Sequence, residues 1–206
     1  LISLTFTFHP QPDPLKITIP NAEQECDQIW QTLQDLPFLK KHDYTVSLPK
    51  GNLIDRLLQK GIKSELTRED YDELRKFVTN EVYDIEDYQL AFEKIYDQKK
   101  LIAKMINEIR AAPRHWSFLK YDRYEVVLTL YGPGGSYNTD KGSLMMLSTP
   151  EGQYKQYTNP ANTIIHEIVH IGIEESIIQD LAIEHGSKER IVDTIVNSYL
   201  VNLDKI

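Results

Sequence analysis

Cysteine is nearly absent. Cys26 stands alone among 206 residues, so no internal disulfide can form. Its setting, EQECDQ, is acidic and lacks the basic neighbours that stabilise a thiolate, which argues for a quiet thiol and against a nucleophile. Long apolar runs are missing too: none reaches the ~20 residues needed to span a bilayer, and no secretory leader is visible. The chain begins at Leu1 and not at Met, so a preceding piece is expected to have been removed or omitted, and the compartment is left unknown. Positive charge is short. Lys and Arg number 23 against 31 Asp and Glu, a net charge of -8, with no basic stripe, which argues against nucleic acid as a partner. The lysines that do cluster, Lys94, Lys99, Lys100 and Lys104, alternate with Glu93, Asp97 and Glu108 and read as a solvated helix face. There is no internal repeat and no low-complexity segment.

What remains is an ordinary soluble composition, 41% hydrophobic and 26% charged, long enough for one domain with a sizeable core. LISLTFTF and LKITI read as short strands separated by HPQPDP, and Asn21 caps a helix to about Asp35 with Ile29, Trp30 and Leu33 turned inward. YTVSL, residues 44–48, is strand-like. Residues 52–112 are largely helical: LIDRLLQK is expected to stop at Gly61, Thr67 with Asp70 opens the next helix, and residues 84–111 carry apolar positions at helical spacing. RYEVVLTLY (123–131) and SLMMLST (143–149) are strands. The glycine-rich GPGGSYNTDKG between them lacks the lysine and following helix of a phosphate loop, so a hairpin connection is expected. Asn159-Pro160 opens a helix expected to run to about Ile183, loosened at Gly172. His185-Gly186 reads as its stop, and Ser187 as the cap of a last helix.

The stretch NTIIHEIVHIGIEES, residues 162–176, carries the chemistry. On a helix His166 and His170 lie one above the other, ~40° apart, so both imidazoles reach one ion from one face. Zinc takes neutral imidazole nitrogen readily. Glu167, beside the first histidine, is placed to act on water at the metal and not to bind the metal itself. The helix is apolar nearly all round and so is expected to be buried. Unpaired polar groups there would cost ~1–3 kcal/mol each, which a metal would offset. The alternative is a metal-free core in which the histidines bond to backbone.

Two ligands do not complete a site, and zinc in an enzyme takes three from the protein. The metzincin continuation fails, because Gly172 comes one place early and Ser176 stands where a histidine is required. Glu174, Glu175, Glu184, His185 and Glu189 are the candidates. Glu175 points away from the histidine face, Glu174 suits a supporting role to His170, and Glu184 and His185 lie where the helix ends. Glu189 shares the inward face of Val196 and Leu200 on the last helix. Asp193, one turn on, can accept the remaining ring N–H of a metal-binding histidine.

HEIVH, followed after eighteen residues by ERIVD, resembles the gluzincin metallopeptidases, the thermolysin group, in a minimal form over about residues 123–206. The resemblance implies His166, His170 and Glu189 as Zn2+ ligands, Glu167 as general base and Asp193 behind the histidines. It implies an α+β, zincin-like fold: a small mixed sheet, an active-site helix and a C-terminal glutamate helix, preceded by a helical N-terminal region. Residues 1–206 form one domain in this reading, with scaffold over 1–120 and the metallopeptidase core over 121–206. SLMMLST is the expected edge strand above the site, and Tyr154, Tyr157, His185 and Tyr199 are candidates to stabilise an oxyanion. The function implied is a zinc-dependent endopeptidase acting on a peptide or protein substrate. The alternative is an inactive zincin-like domain that binds zinc or a protein partner, and Glu167 favours catalysis, since metal binding alone does not require it.

Overall fold

A computed structural model describes residues 13–155 and 159–200, the last two without their side chains. The chain is α+β, with eight α-helices and a four-stranded mixed sheet among the described residues. The proposed strand at residues 1–8 lies outside them. No helix among them is long and apolar enough to cross a membrane.

The N-terminal helices are α1 (Ala22–Gln34), α2 (Leu36–Lys41), α3 (Asn52–Ile62) and α4 (Arg68–Phe77). Reciprocal capping boxes start two of them, Asn21 with Gln24 at α1 and Thr67 with Asp70 at α4, satisfying amide groups the first turn leaves open. Cys26, Ile29, Leu33, Leu36, Ile54, Leu57, Leu74 and Val78 form their core. Gly61 does not end α3, as the sequence suggested. A Cβ there would lie 2.4 Å from the Leu33 carbonyl oxygen, so the glycine lets α3 close onto α1, and the break comes instead at Ser64, whose φ is +57°.

A second core joins the sheet to the remaining helices. Strands β1 (Leu15–Thr18), β2 (Tyr124–Thr129), β3 (Ser136–Asn138) and β4 (Ser143–Leu147) lie in the order β1-β2-β4-β3. β1, β2 and β4 are parallel, and β3 is antiparallel to β4. Tyr124, Val126, Leu128, Leu144 and Met146 pack with α5 (Gln89–Asp97), α6 (Lys99–Ala111) and α7 (Pro160–Ile173). This corrects two expectations. The glycine-rich segment is no simple hairpin, because β2 and β4 are parallel neighbours and a parallel pair needs a longer crossover. It carries its own strand, and the hairpin is β3–β4. β4 is therefore interior, and β3 is the edge strand in its place. Residues 44–48 are not a strand either: only Ser47 pairs, as an isolated bridge to Gly132.

α7 is capped by Asn159, whose side chain accepts from the Ala161 amide, with Pro160 at the first position. Thr163 to Ile173 are all buried, as expected for a helix apolar all round. At Gly172 a Cβ would lie 2.0 Å from Phe118 Cζ, so the glycine admits that ring, and the expected loosening follows directly after it. The α-helix stops at Ile173 and passes into a π-helical turn, Glu174–Gln179. His185-Gly186 begins the last helix, α8 (His185–Leu200), and does not end the previous one. The chain reverses before it through Ala182, whose φ is +49°.

Glu25 ties the two cores together. Fully buried on α1, it accepts from the Leu130 amide at 2.8 Å and lies 2.9 Å from the Thr129 hydroxyl. Burial raises its pKa, against hydrogen bonds from Leu130, Tyr88 and Thr129. The Thr129 hydroxyl also reaches the Tyr131 carbonyl at 2.9 Å. Its one proton cannot serve both acceptors at once, so Thr129 is shared between Glu25 and the Tyr131 carbonyl. With its pKa raised by burial, the folded chain keeps the Glu25 proton to higher pH than the unfolded chain, which releases it from its ordinary value of 4.5 upward, so this contribution to stability falls as pH rises through that window. Urea unfolding of Glu25→Gln should show a flatter loss of stability toward neutral pH than wild type. Glu25→Ala should cost ~1–3 kcal/mol throughout by stranding the Leu130 amide. Parallel pH profiles for wild type and Glu25→Gln would rule out this assignment.

Candidate metal centre

The reversal at residues 180–184 brings α8 back across α7, anchored by buried Val192 and Val196. One turn apart on α7, His166 and His170 project from the same face and are 8% and 3% exposed. Their Nε2 atoms lie 3.0 Å apart, and Glu189 Oε2, from α8, lies 3.3 Å from each. These are the described residues grouped closely enough to hold a metal ion.

The triangle fits a cation. A tetrahedral ion with arms of ~2.0–2.1 Å has ligand–ligand edges of ~3.3 Å, close to the three observed. At most one proton can lie between the two nitrogens, and an ionised carboxylate only accepts. With both imidazoles deprotonated at Nε2, three electron-pair donors converge, and the donor types are those zinc takes.

The two imidazoles are oriented differently. His166 Nδ1 lies 3.4 Å from Asp193 Oδ1, on the side away from the triangle. The His170 ring instead stacks on Tyr137 of β3, centroids 5.0 Å apart and planes 8° from parallel, while its Nδ1 is buried without a hydrogen-bond partner among the described residues. Tyr137 is itself fixed: its hydroxyl donates to Glu174 Oε2 at 2.6 Å and accepts from Lys188 Nζ at 2.9 Å.

Titration follows these surroundings. Burial depresses the His166 pKa, but Glu189 with the charges of Glu167 and Asp193 more than offsets this, and the net shift is upward. At the more deeply buried His170 burial prevails over the same Glu189 contact, and the shift is downward. Hydrogen bonds from both histidines hold the Glu189 carboxyl well below the usual carboxylate range. Burial pushes Glu167 up to about 7, with Glu189 adding to the rise and His166 and Lys188 opposing it.

Glu167 lines the same cleft, of about 430 Å³, without belonging to the triangle; Tyr44, Gly135, Ser136, Tyr137, His185 and Lys188 complete the walls. Of the other sequence candidates, Glu175 and Glu184 are exposed, and Glu174 binds Tyr137. His185 stands at the rim with Nδ1 3.7 Å from Glu189 Oε1. Tyr154 is corrected: its hydroxyl donates to the Ala91 carbonyl at 2.5 Å, and it does not line the cleft. Tyr157 and the side chain of Tyr199 lie outside the described residues. Sequence reasoning missed Tyr44, Tyr137 and Lys188. Only Lys188, adjacent to Glu189, carried a local signal, since its position on α8 follows from that of the glutamate.

No protein-family model, curated protein or solved structure matches the chain. The site therefore stands on its own geometry. Asp193 is more than half exposed, so its contact adds little to stability, and its effect falls on the His166 ring. Asp193→Ala should weaken zinc affinity roughly 10–100-fold with the fold intact. A competition titration giving wild-type affinity would reject this role.

Proposed function

We propose that this chain is a zinc-dependent peptidase of the gluzincin type on a zincin-like fold. The observation that carries the reading is the pairing of two features in one cleft: the His166–His170–Glu189 triangle with edges of 3.0, 3.3 and 3.3 Å, and a buried carboxyl, Glu167, beside it but outside it. Zinc held by the triangle would supply Lewis acidity, polarising a scissile carbonyl and making water more acidic near neutral pH.

The chain's own groups supply the rest. Glu167 takes the proton of the attacking water on its carboxylate and returns it to the leaving amine, the work of a general base and then a general acid. Its placement supports this role. Asp193 keeps the proton of His166 on Nδ1 and so leaves Nε2 free to ligate. β3 is paired only with β4 among the described strands, and its residues Ser136 and Tyr137 line the cleft. Its other edge can therefore pair with an extended peptide, main-chain bonds giving affinity and side-chain pockets giving selectivity.

Wild type, Glu167→Gln and His166→Ala test this in casein and peptide-library digestion, with metal content read by mass spectrometry. Wild type is expected to hold one zinc per chain and to cleave. Glu167→Gln should keep the zinc and lose ~10²–10⁴-fold in rate. His166→Ala should lose metal and activity together, along with stability, because Glu189 loses its cation. Zinc without cleavage would favour the binding domain over the enzyme, and equal cleavage by wild type and Glu167→Gln would falsify the mechanism.

A further inference from the structure

The N-terminal helices supply one wall of the cleft. After α2 the chain turns sharply through Asp43, φ +57°, and Tyr44 enters the lining. The segment is pinned from the sheet side. Ser47 and Gly132 exchange two backbone hydrogen bonds of 2.8 Å, and the Ser47 hydroxyl donates to the Leu130 carbonyl at 3.0 Å. Lys155 donates to both the Thr45 and Pro133 carbonyls. This pinning places the Tyr44 hydroxyl 3.1 Å from His185 Nε2, while the other nitrogen of that ring faces Glu189 at 3.7 Å. Tyr44 therefore stands one imidazole away from the metal triangle.

Outward from Tyr44 the aromatic surface continues. The Phe38 ring stacks on Tyr44 with centroids 6.4 Å apart and lies 4.5 Å from the His42 ring. Phe38 is 58% exposed. Helix α2 meets its own core through Leu36 and also buries Leu39, so Phe38 is not spent on folding. Single exposed apolar residues are ordinary, but three contiguous rings leading into a cleft form a surface that a flat, apolar group would cover.

We infer that Phe38, His42 and Tyr44 form a subsite for an aromatic side chain of the substrate peptide, set back from the cleaved bond. The inference rests on the peptidase reading of the site. With one imidazole and Tyr44 between the triangle and Phe38, the ring that docks belongs to a residue several positions from the bond, at ~3.3 Å of extended chain per residue. Stacking between rings supplies the preference for aromatic over aliphatic side chains.

A library of short randomised peptides tests this in two ways. Cleavage is compared for wild type, Phe38→Ala and Tyr96→Ala. Tyr96 is an equally exposed aromatic, also 58%, stacked on Phe92 and not on Tyr44. Retention of the same library, immobilised, is compared on zinc-loaded Glu167→Gln alone and combined with each alanine substitution. An enrichment of Phe, Tyr or Trp on the order of tenfold, set back from the cut, is expected for wild type and Tyr96→Ala and should vanish for Phe38→Ala. No aromatic preference in wild type, its survival in Phe38→Ala, or its equal loss in Tyr96→Ala would overturn the subsite. If nothing is cleaved but aromatic peptides are retained through Phe38, the subsite stands and the peptidase reading fails. If nothing is cleaved or retained, both fail.

Discussion

Three electron-pair donors face one another across the contact of α7 with α8, and most of the molecule's second half is arranged to keep them there. Two imidazole nitrogens and a carboxylate oxygen at 3.0–3.3 Å repel one another unless a proton or a metal cation sits among them. In a buried setting that repulsion is poorly screened. The apolar groups around them supply the restoring force: α7 is held from all sides by core residues, and α8 is held by Val192 and Val196. The site is thus an electrostatic load borne by hydrophobic packing, and a cation relieves it.

The supporting contacts divide the orientation of the ligands between two different devices. At His166 a carboxylate, Asp193, faces the outer ring nitrogen. At His170 no acceptor is available among the described residues, and a parallel tyrosine ring takes over. That tyrosine belongs to the edge strand. Burial and the neighbouring Glu174 raise its pKa far above the ordinary range, so it remains a donor to Glu174, with Lys188 donating to it in turn. The Lys188 cation and the Glu174 anion balance, and the network costs the site no net charge. Its consequence is geometric: β3 is registered against α7 and α8 through the same ring that orients a ligand, so the strand that would carry a peptide and the centre that would act on it are not independently placed.

How much of this was legible in the sequence depended on the range of the interaction. The α7 start, the histidine face and the inward aim of Glu189 follow from helical period and capping, which are local, and the structure brings those side chains together. The capping boxes of α1 and α4 were readable for the same reason. Gly61 was misread because its reason is a close approach to the Leu33 carbonyl, a contact between helices. Residues 44–48 have strand composition, but their one pairing partner is Gly132, far along the chain. β3 is three residues long inside a glycine-rich stretch, and nothing local shows that β2 and β4 are parallel and that the hairpin is the β3–β4 one. Tyr44 and Tyr137 are ordinary tyrosines in sequence, and only tertiary structure puts one at the rim and the other against His170.

The N-terminal helices have their own hydrophobic core, and such a unit could have been attached anywhere on the sheet. It is attached where the cleft opens. Tyr83 and Tyr131 pack against both cores, Glu25 reaches from α1 to the backbone following β2, and the Ser47–Gly132 bridge lies just beyond. The Glu25 contacts, Tyr131 and the Ser47 bridge all lie at residues 129–132, immediately before the segment that becomes the edge strand. A shift of the helical unit would therefore move Tyr44 and the start of β3 together, and would reach the triangle through Tyr137, whose ring stacks on His170. The triangle and the Tyr44 wall rest on different cores, and the seam at Glu25, together with the Tyr137 ring against His170, sets their alignment.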